Sequence, residues 1–326
     1  MKAVVYREYG SPDVLHMEDV DVPQPKRGEV LIKVHASTAT AGDANLRGFT
    51  RVPDKLSGWL VRLVFGLFRP RRPILGTEVA GEIVSLGKGV TDFQVGDAVF
   101  GIDSMKLGGY AEYVCRAAKG GLYKKPTEAS YEQAAALPFG AGTALYFVKD
   151  LLGVQPGQKV LVVGASGCVG HYIVQLASAF GAEVTGVCSA RNVELVRSFG
   201  ARHVLDYTKE DCTQPQHGTY DIIFDVVPSQ PSFAEYQKVL NPDGRYAAVA
   251  GGFKEIFQSL FNRRIVAGTP KESKENMKQL YDLFDAGTIK PFIDETYPLS
   301  ETKEAHRYTD SGHKRGNVVI TVSEGL

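Results

Sequence analysis

The fold of this chain is decided by one stretch, Lys159-Val160-Leu161-Val162-Val163-Gly164-Ala165-Ser166-Gly167-Cys168-Val169-Gly170. An apolar strand runs into small residues, and an apolar predicted helix follows from Tyr172. Small residues keep such a turn tight and let the backbone approach a pyrophosphate, which free N–H groups at the helix start can bind. Ala165 takes the first glycine place of G-x-G-x-x-G, so the match is imperfect. Its position between a strand and a helix favours a dinucleotide site over a purely structural turn. The site residues are Gly164, Ala165, Ser166, Gly167, Cys168, Val169 and Gly170.

Strands and helices alternate after this stretch. Before it, helices are predicted over 130–136, with Ser130 as the N-cap, and over about 142–152. After it, the pattern predicts strands at 183–188, 203–206, 220–226 and 245–250, and helices at 191–199 and 272–286. Such alternation indicates an α/β fold with a doubly wound parallel sheet. Residues 1–125 instead read as short β-strands separated by glycine and proline turns. A last strand at 317–322 has no obvious partner in the sequence.

The residues at the end of the second strand of the parallel sheet indicate whether NAD or NADP binds. An NAD site needs an acidic residue there for the ribose 2′-hydroxyl. This chain has Cys188-Ser189-Ala190-Arg191-Asn192, which offers a hydroxyl and a guanidinium and no carboxylate. Ser189 and Arg191 therefore favour NADPH, because both groups bind phosphate well. Ser189 capping the next helix is the structural alternative, and both roles are compatible.

Composition excludes several classes of function. The 326 residues carry 37 Lys+Arg and 37 Asp+Glu, so the formal net charge is zero and a nucleic-acid role is not expected. No apolar run reaches the ~18 residues of a membrane span. The N-terminus lacks a signal-peptide pattern, and four scattered cysteines do not form a disulfide framework. A cytoplasmic location is the expectation.

One segment, 54–73, is apolar with a basic end and contains Trp59, Phe65 and Phe68. Contact with a membrane surface is one interpretation. An insertion that packs over a cleft or a subunit interface is the favoured one. Its aromatic residues, with Trp59 and Phe65 foremost, either roof a pocket for a flat substrate or pack in the core.

An ordered set of short motifs resembles the medium-chain dehydrogenase/reductase superfamily, and most of all its zinc-free quinone oxidoreductase branch. Together with the glycine loop, the motifs are Ala41–Gly48 and the stretches 75–81, 95–101, 108–113, 137–144 and 312–320. The resemblance implies a Rossmann NADP(H)-binding domain at 126–269, inserted into a β-rich GroES-like domain of residues 1–125 and 270–326. It also implies a homodimer.

The zinc ligands of the alcohol dehydrogenases in this superfamily are missing from the sequence. Thr40, Thr77 and the Pro138-Phe139-Gly140 stretch occupy the places of a Cys, a His and a Cys, so no metal site is expected. Without a Lewis acid, the expected substrates are quinones and α,β-unsaturated carbonyls, which accept hydride readily. A carbonyl or alcohol oxidoreductase of the same superfamily stays open. So does an NADPH-binding sensor or structural protein with little turnover.

The resemblance also carries over individual residues. Around the cofactor it implies roles for Thr143, Tyr207, Val227, Ala250, Gly251 and Asn317. Asn317 stands where relatives often have lysine. Asp43 and Arg47 match a polar pair at the substrate cleft, with a salt bridge between them as the alternative. Phe49 follows Gly48 near the place where related quinone reductases often have a tyrosine, so no proton donor is assigned and bulk water could serve.

Overall fold

The computed structural model describes residues 1–49, 55–227 and 231–322, so Asp54, the first residue of the 54–73 segment, lies outside this description. The N-terminal part contains mostly strands. They are β1 (Lys2–Val5), β2 (His16–Asp19), β3 (Glu29–Thr38), β4 (Glu78–Leu86), β5 (Ala98–Ile102), β6 (Tyr113–Ala117) and β7 (Leu122–Lys124). Two helices, α1 (Ala41–Gly48) and α2 (Lys55–Phe65), lie between β3 and β4.

The central part alternates strands with helices. Its elements are α3 (Tyr131–Ala135), α4 (Pro138–Leu145), β8 (Lys159–Val163), α5 (Gly170–Ala179), β9 (Glu183–Cys188), α6 (Val193–Ser198), β10 (His203–Asp206), β11 (Tyr220–Asp225), α7 (Phe233–Tyr236), β12 (Leu240–Ala248), α8 (Phe253–Phe261) and β13 (Ile265–Val266). The chain ends with α9 (Lys274–Asp285), β14 (Ile293–Pro298), α10 (Thr302–Asp310) and β15 (Asn317–Thr321).

Six strands form a sheet in the order β10-β9-β8-β11-β12-β13, and every neighbouring pair is parallel. Numbered along this domain the order is 3-2-1-4-5-6, the arrangement of a dinucleotide-binding Rossmann fold. The predicted fold class is therefore confirmed. The strand order reverses between β8 and β11, and ligands of such sheets bind at the carboxyl ends of the two strands at this switch point.

The C-terminal strand completes the other large sheet. Its order is β14-β15-β3-β4-β5-β7, and β6 also pairs with β3. Val319 of β15 lies opposite Thr38 of β3 in an antiparallel pair. The chain thus leaves the N-terminal sheet, forms the parallel sheet and returns, as the resemblance implies. The boundaries at 125/126 and 269/270 stay predictions.

The two sheets share one apolar core. A single cluster of buried residues joins Ala80 and Phe100 of the N-terminal sheet to Val160, Val162 and Ile173 of the parallel-sheet domain. Burial of apolar surface stabilises the fold by roughly 25 cal/mol per Å². This shared core packs the parallel-sheet domain against the N-terminal sheet.

Local signals place the helices that connect the two sheets. Ser130 caps α3, as its sequence predicts, and its hydroxyl accepts a hydrogen bond from the N–H of Gln133. The helix predicted over 142–152 begins earlier, with Pro138 in its first turn, and α4 passes into a π-helical turn at Tyr146–Leu151. Within the described ranges, no helix is long and apolar enough to cross a membrane.

Candidate active site

The glycine loop joins β8 to α5 at the switch point. Gly164 has φ +80°, a backbone conformation that side chains disfavour, and a Cβ there would stand 2.8 Å from Cγ2 of Val227. A Cβ on Gly170 would stand 2.1 Å from the carbonyl oxygen of Gly164. The N–H of Gly167 donates to that same oxygen over 3.0 Å. The positive φ therefore explains Gly164, and close backbone contact explains Gly170.

The start of α5 offers backbone donors to a ligand. Val169 occupies the N-cap position and makes no side-chain capping bond. The N–H groups in the first turn of a helix have no partner within the helix, and the helix dipole favours an anion there. The predicted phosphate position at Ser166–Gly170 therefore lies at the carboxyl edge of the sheet, where a dinucleotide binds.

The loop after β9 carries the groups that were expected to select the cofactor. Asn192 is 4% exposed, and its Nδ2 donates to the hydroxyls of Ser166 over 3.1 Å and Ser189 over 3.2 Å. Ser189 occupies the N-cap position of the following helical turn, as the alternative states, but its side chain makes no capping hydrogen bond. Asn192 was not predicted as a site residue, and it links the glycine loop to the loop after β9.

Arg191 lies at the surface with its guanidinium on the C-terminal segment. Its Nη2 donates to the carbonyl oxygen of His313 over 2.5 Å. Tyr207, 59% exposed, stands beside this loop, because its N–H donates to the carbonyl oxygen of Cys188. The structure thus brings Ser189, Arg191 and Tyr207 to the same edge as the glycine loop, while their roles toward a nucleotide stay predictions.

A buried carboxyl positions the predicted nicotinamide end. Asp225 ends β11, and its carboxylate accepts from the N–H of Val227 over 3.1 Å and from the hydroxyl of Tyr246 over 2.8 Å. Burial raises the pKa of Asp225 to about 6. Ala250 lies at the same edge, since its N–H donates to the carbonyl oxygen of Asp225, and Gly251 follows it. Asp225 was not predicted as a site residue, although an acidic residue that ends an apolar strand was an available signal.

The C-terminal segment crosses the glycine loop. Gly316 pairs with Gly167 in a parallel bridge, and its N–H donates to the carbonyl oxygen of Ser166 over 2.8 Å. Asn317 is 2% exposed, and the Sγ of Cys168 donates to its Oδ1 over 3.1 Å. Burial raises the pKa of the Cys168 thiol to about 11. Asn317 therefore holds the loop in place, and it carries no charge toward a ligand.

Glu78 is a second buried carboxyl, and it was not predicted as a site residue. The hydroxyl of Thr38 donates to it, and so does the N–H of Phe139 at the start of α4, over 2.7 Å. Burial raises the pKa of Glu78 to about 8, and the positive charge of Lys314 acts in the opposite direction. Thr143, further along α4, is half-buried. Glu78 therefore links β4 to the helix that bears a predicted cofactor contact.

The predictions for Asp43 and Arg47 need correction. Both are fully buried, and they do not pair with each other. The carboxylate of Asp43 accepts from the hydroxyl of Thr40, with which it forms the capping box of α1, and also from the N–H of Gly76. Arg47 binds Asp310 over 2.5 Å and Nδ1 of His306 over 2.8 Å. The expected salt bridge between them is therefore wrong. Arg47 holds α1 on α10, whereas Asp43 holds the start of α1 on Gly76 before β4, and a role of either side chain at the substrate cleft stays a prediction.

The aromatic residues that were predicted to line the substrate cleft lie in different environments. Phe49 has φ +54° and stacks edge-on with Tyr9 at 4.9 Å, and the guanidinium of Arg62 lies over its ring. Phe65 packs against the core of the N-terminal domain, as the packing alternative states. Trp59 is 54% exposed, which fits neither core packing nor a roof closed over a pocket.

The positions compared with zinc ligands carry hydroxyls or apolar groups. The hydroxyl of Thr40 is engaged by Asp43, and Thr77 is 5% exposed. Across the described ranges, no group of three or more His, Cys, Asp or Glu side chains is placed to hold a metal ion.

Two family descriptions match the chain. Residues 26–127 match the alcohol dehydrogenase GroES-like domain, and residues 199–320 match the family described as zinc-binding dehydrogenase. The word zinc in the second description belongs to the name of the family. This chain has no Cys or His at the positions compared with zinc ligands, Thr40, Thr77 and the Pro138-Phe139-Gly140 stretch.

Full-length relatives agree with these matches. The chain is 32% identical to the chloroplast envelope quinone oxidoreductase homolog of Arabidopsis thaliana, covering 98% of each. It is 31% identical to an NADPH-dependent alkenal/one oxidoreductase of the same plant, over 98% of this chain and 79% of that protein. The solved quinone oxidoreductase of Coxiella burnetii superposes with a TM-score of 0.87 at 28% identity, covering 99% of each chain. The sheet order, the glycine loop and these likenesses together show that the chain belongs to the medium-chain dehydrogenase/reductase superfamily, in its quinone oxidoreductase-like branch.

Proposed function

We propose that this protein transfers hydride from NADPH to a quinone or an α,β-unsaturated carbonyl compound without a metal ion. The observation that carries the proposal is the glycine loop at the switch point, where Gly170 and Gly164 leave room only for backbone. Relatives named quinone oxidoreductase and alkenal/one oxidoreductase support the reaction class.

The residues present fit a dinucleotide with a 2′-phosphate. Backbone N–H groups at the start of α5 would hold the pyrophosphate, and Ser189 and Arg191 would bind the 2′-phosphate at a loop that has no carboxylate. Bound NADPH supplies the hydride. Val227, held by Asp225, and the Ala250-Gly251 pair would orient the nicotinamide end. Thr143 and Asn317 would border the same cleft, and Tyr207 would border the adenosine phosphate.

The acceptor class follows from the donors that the chain lacks. Polarising a simple ketone or alcohol oxygen calls for a Lewis acid or an equivalent donor. Thr40, Thr77 and Phe139 provide no thiolate or imidazole at the compared positions. A conjugated acceptor spreads the incoming charge onto its oxygen, so it needs less help from the protein, and water can supply the proton.

The domain boundaries at 125/126 and 269/270, a homodimer and a cytoplasmic location belong to the same proposal. Strand β13 lies at the edge of the parallel sheet, and α8 beside it exposes Phe257, Leu260 and Phe261. A second copy would cover both surfaces. Light scattering on the purified protein should give the mass of two chains, and Leu260→Glu should halve that mass.

The proposed cytoplasmic location agrees with the four free cysteines, as expected in a reducing compartment.

Absorbance of NADPH during turnover tests the reaction. Benzoquinone and 2-cyclohexenone should consume NADPH equally well with and without a chelator, whereas hexanal and cyclohexanone should not. Consumption with the saturated carbonyls alone, or loss of activity with the chelator, would instead indicate a carbonyl or alcohol oxidoreductase. NADPH binding with no turnover of any acceptor would indicate a sensor or structural protein.

A further inference from the structure

Helix α2 and the turn after it, residues 58–72, present apolar side chains to solvent, and we call this surface the α2 patch. Phe68 at the turn is 89% exposed and Trp59 on the helix is 54% exposed. Leu63, Val64 and Leu67 are also exposed. Large exposed apolar patches mark binding surfaces, and neither the cofactor site nor the shared core uses this one.

The α2 patch is strongly basic. Arg62, Arg69, Arg71 and Arg72 lie in it, and the sequence has no Asp or Glu from 55 to 77. Three of these arginines contact aromatic rings or carbonyl oxygens, which do not neutralise their positive charge. Arg62 lies over the rings of Tyr9 and Phe49, Arg72 lies over Phe65, and Arg71 donates to main-chain carbonyls. The whole chain is neutral, so this positive charge is a local feature.

The turn that carries Phe68 is fixed before any partner arrives. Gly66 has φ +129°, and a Cβ there would stand 2.0 Å from the carbonyl oxygen of Arg69. The hydroxyl of Tyr9 donates to the carbonyl oxygen of Gly66 over 2.6 Å, and the N–H of Arg71 donates to that of Phe65 over 2.8 Å. A surface formed in advance binds without a cost of ordering.

We propose that the α2 patch docks this protein on the surface of an anionic lipid membrane. Lipid phosphates would pair with the arginines while Trp59 and Phe68 enter the boundary between headgroups and acyl chains. A second copy of the chain is disfavoured, because two such patches would bring like charges together. The residues involved lie outside the cofactor site, so this proposal and the proposed reaction can fail separately.

The chain contains one tryptophan, Trp59, so its fluorescence reports on the α2 patch directly. Vesicles of equal parts phosphatidylglycerol and phosphatidylcholine should shift its emission to the blue, and high salt should reverse the shift. Vesicles of phosphatidylcholine alone should leave it unchanged. The proposal is overturned by no shift with the anionic vesicles, by an equal shift with neutral ones, or by a concentration-dependent shift without vesicles, which would indicate self-association.

Variants assign the binding to individual side chains. Phe68→Ser should weaken partition into the anionic vesicles roughly tenfold or more, from the lost apolar burial. Arg69→Gln should weaken it about fivefold, from one lost charge. Val95→Ser is the control, since Val95 is 59% exposed but stands near Asp92 and Asp97, and it should bind normally. Equal weakening by Val95→Ser would contradict the proposal. NADPH affinity should be unchanged in all three, which shows that they fold.

Discussion

Replacing Gly170 with alanine is expected to weaken both the fold and the binding of NADPH. The new Cβ would stand 2.1 Å from the carbonyl oxygen and 2.9 Å from the carbonyl carbon of Gly164. Ordinary carbon–oxygen contacts are ~3.3 Å long, so one of the two backbones must move by about 1 Å. Neither can yield by a side-chain rotation, and Val227 closes the other side of Gly164. Overpacking of this kind costs ~1–3 kcal/mol.

Two measurements separate the consequences of this change. Urea unfolding of the cofactor-free protein should show a loss of ~1–3 kcal/mol. Fluorescence titration should show NADPH binding at least about tenfold weaker, because a displaced loop no longer aims its N–H groups at the pyrophosphate. Gly142→Ala is the matched control: its Cβ would meet only Leu280 at 3.8 Å, and alanine in the middle of α4 favours the helix. The reasoning is refuted if Gly170→Ala keeps wild-type stability and affinity, or if both variants lose them equally.

Three further changes probe separate parts of the site. Arg191→Ala should weaken NADPH binding by ~1.5–3 kcal/mol and leave NADH binding nearly unaffected; equal losses in the two titrations would remove Arg191 from the 2′-phosphate site. The pKa of Glu78 is raised from 4.5 to about 8, so the folded state holds an extra proton in this window and the contribution of Glu78 to stability falls as pH rises. Glu78→Gln should therefore gain stability relative to wild type between those pH values in urea unfolding, and parallel stability curves would contradict this. Arg47→Met should cost ~3–5 kcal/mol of unfolding free energy, because it leaves His306 and the Asp310 carboxylate without the guanidinium, yet it should leave the dissociation constant of NADPH unchanged. A variant with normal stability and weak NADPH binding would instead support a role of Arg47 at the cleft.

The parts of the molecule that the sequence predicts correctly depend on short-range signals. The glycine loop, its flanking strand and helix, and the capping of α3 each involve residues within one short segment. Their conformations follow from glycine geometry, apolar periodicity and side-chain capping. The family motifs then supplied the return of β15 to the first sheet, which no local pattern contains.

The errors concern side chains whose partners lie far away in sequence. Arg47 binds His306 and Asp310 across some 260 positions, so no local spacing could separate this pairing from a bond to Asp43. Glu78 and Asp225 became important through burial, which shifts their pKa values only once the strands around them have assembled. Exposure of Trp59 is likewise a property of packing, since its apolar neighbours suit either a core helix or a surface.

The fate of the transferred hydrogen tests the central claim most directly. NADPH that carries deuterium at its transferable C4 position would be supplied with 2-cyclohexenone, and the product would be analysed by NMR. Transfer to a conjugated acceptor predicts deuterium on the β-carbon and a solvent proton on the α-carbon of a saturated ketone. Deuterium on the former carbonyl carbon of an allylic alcohol would contradict the account, because it would show direct reduction of the carbonyl group.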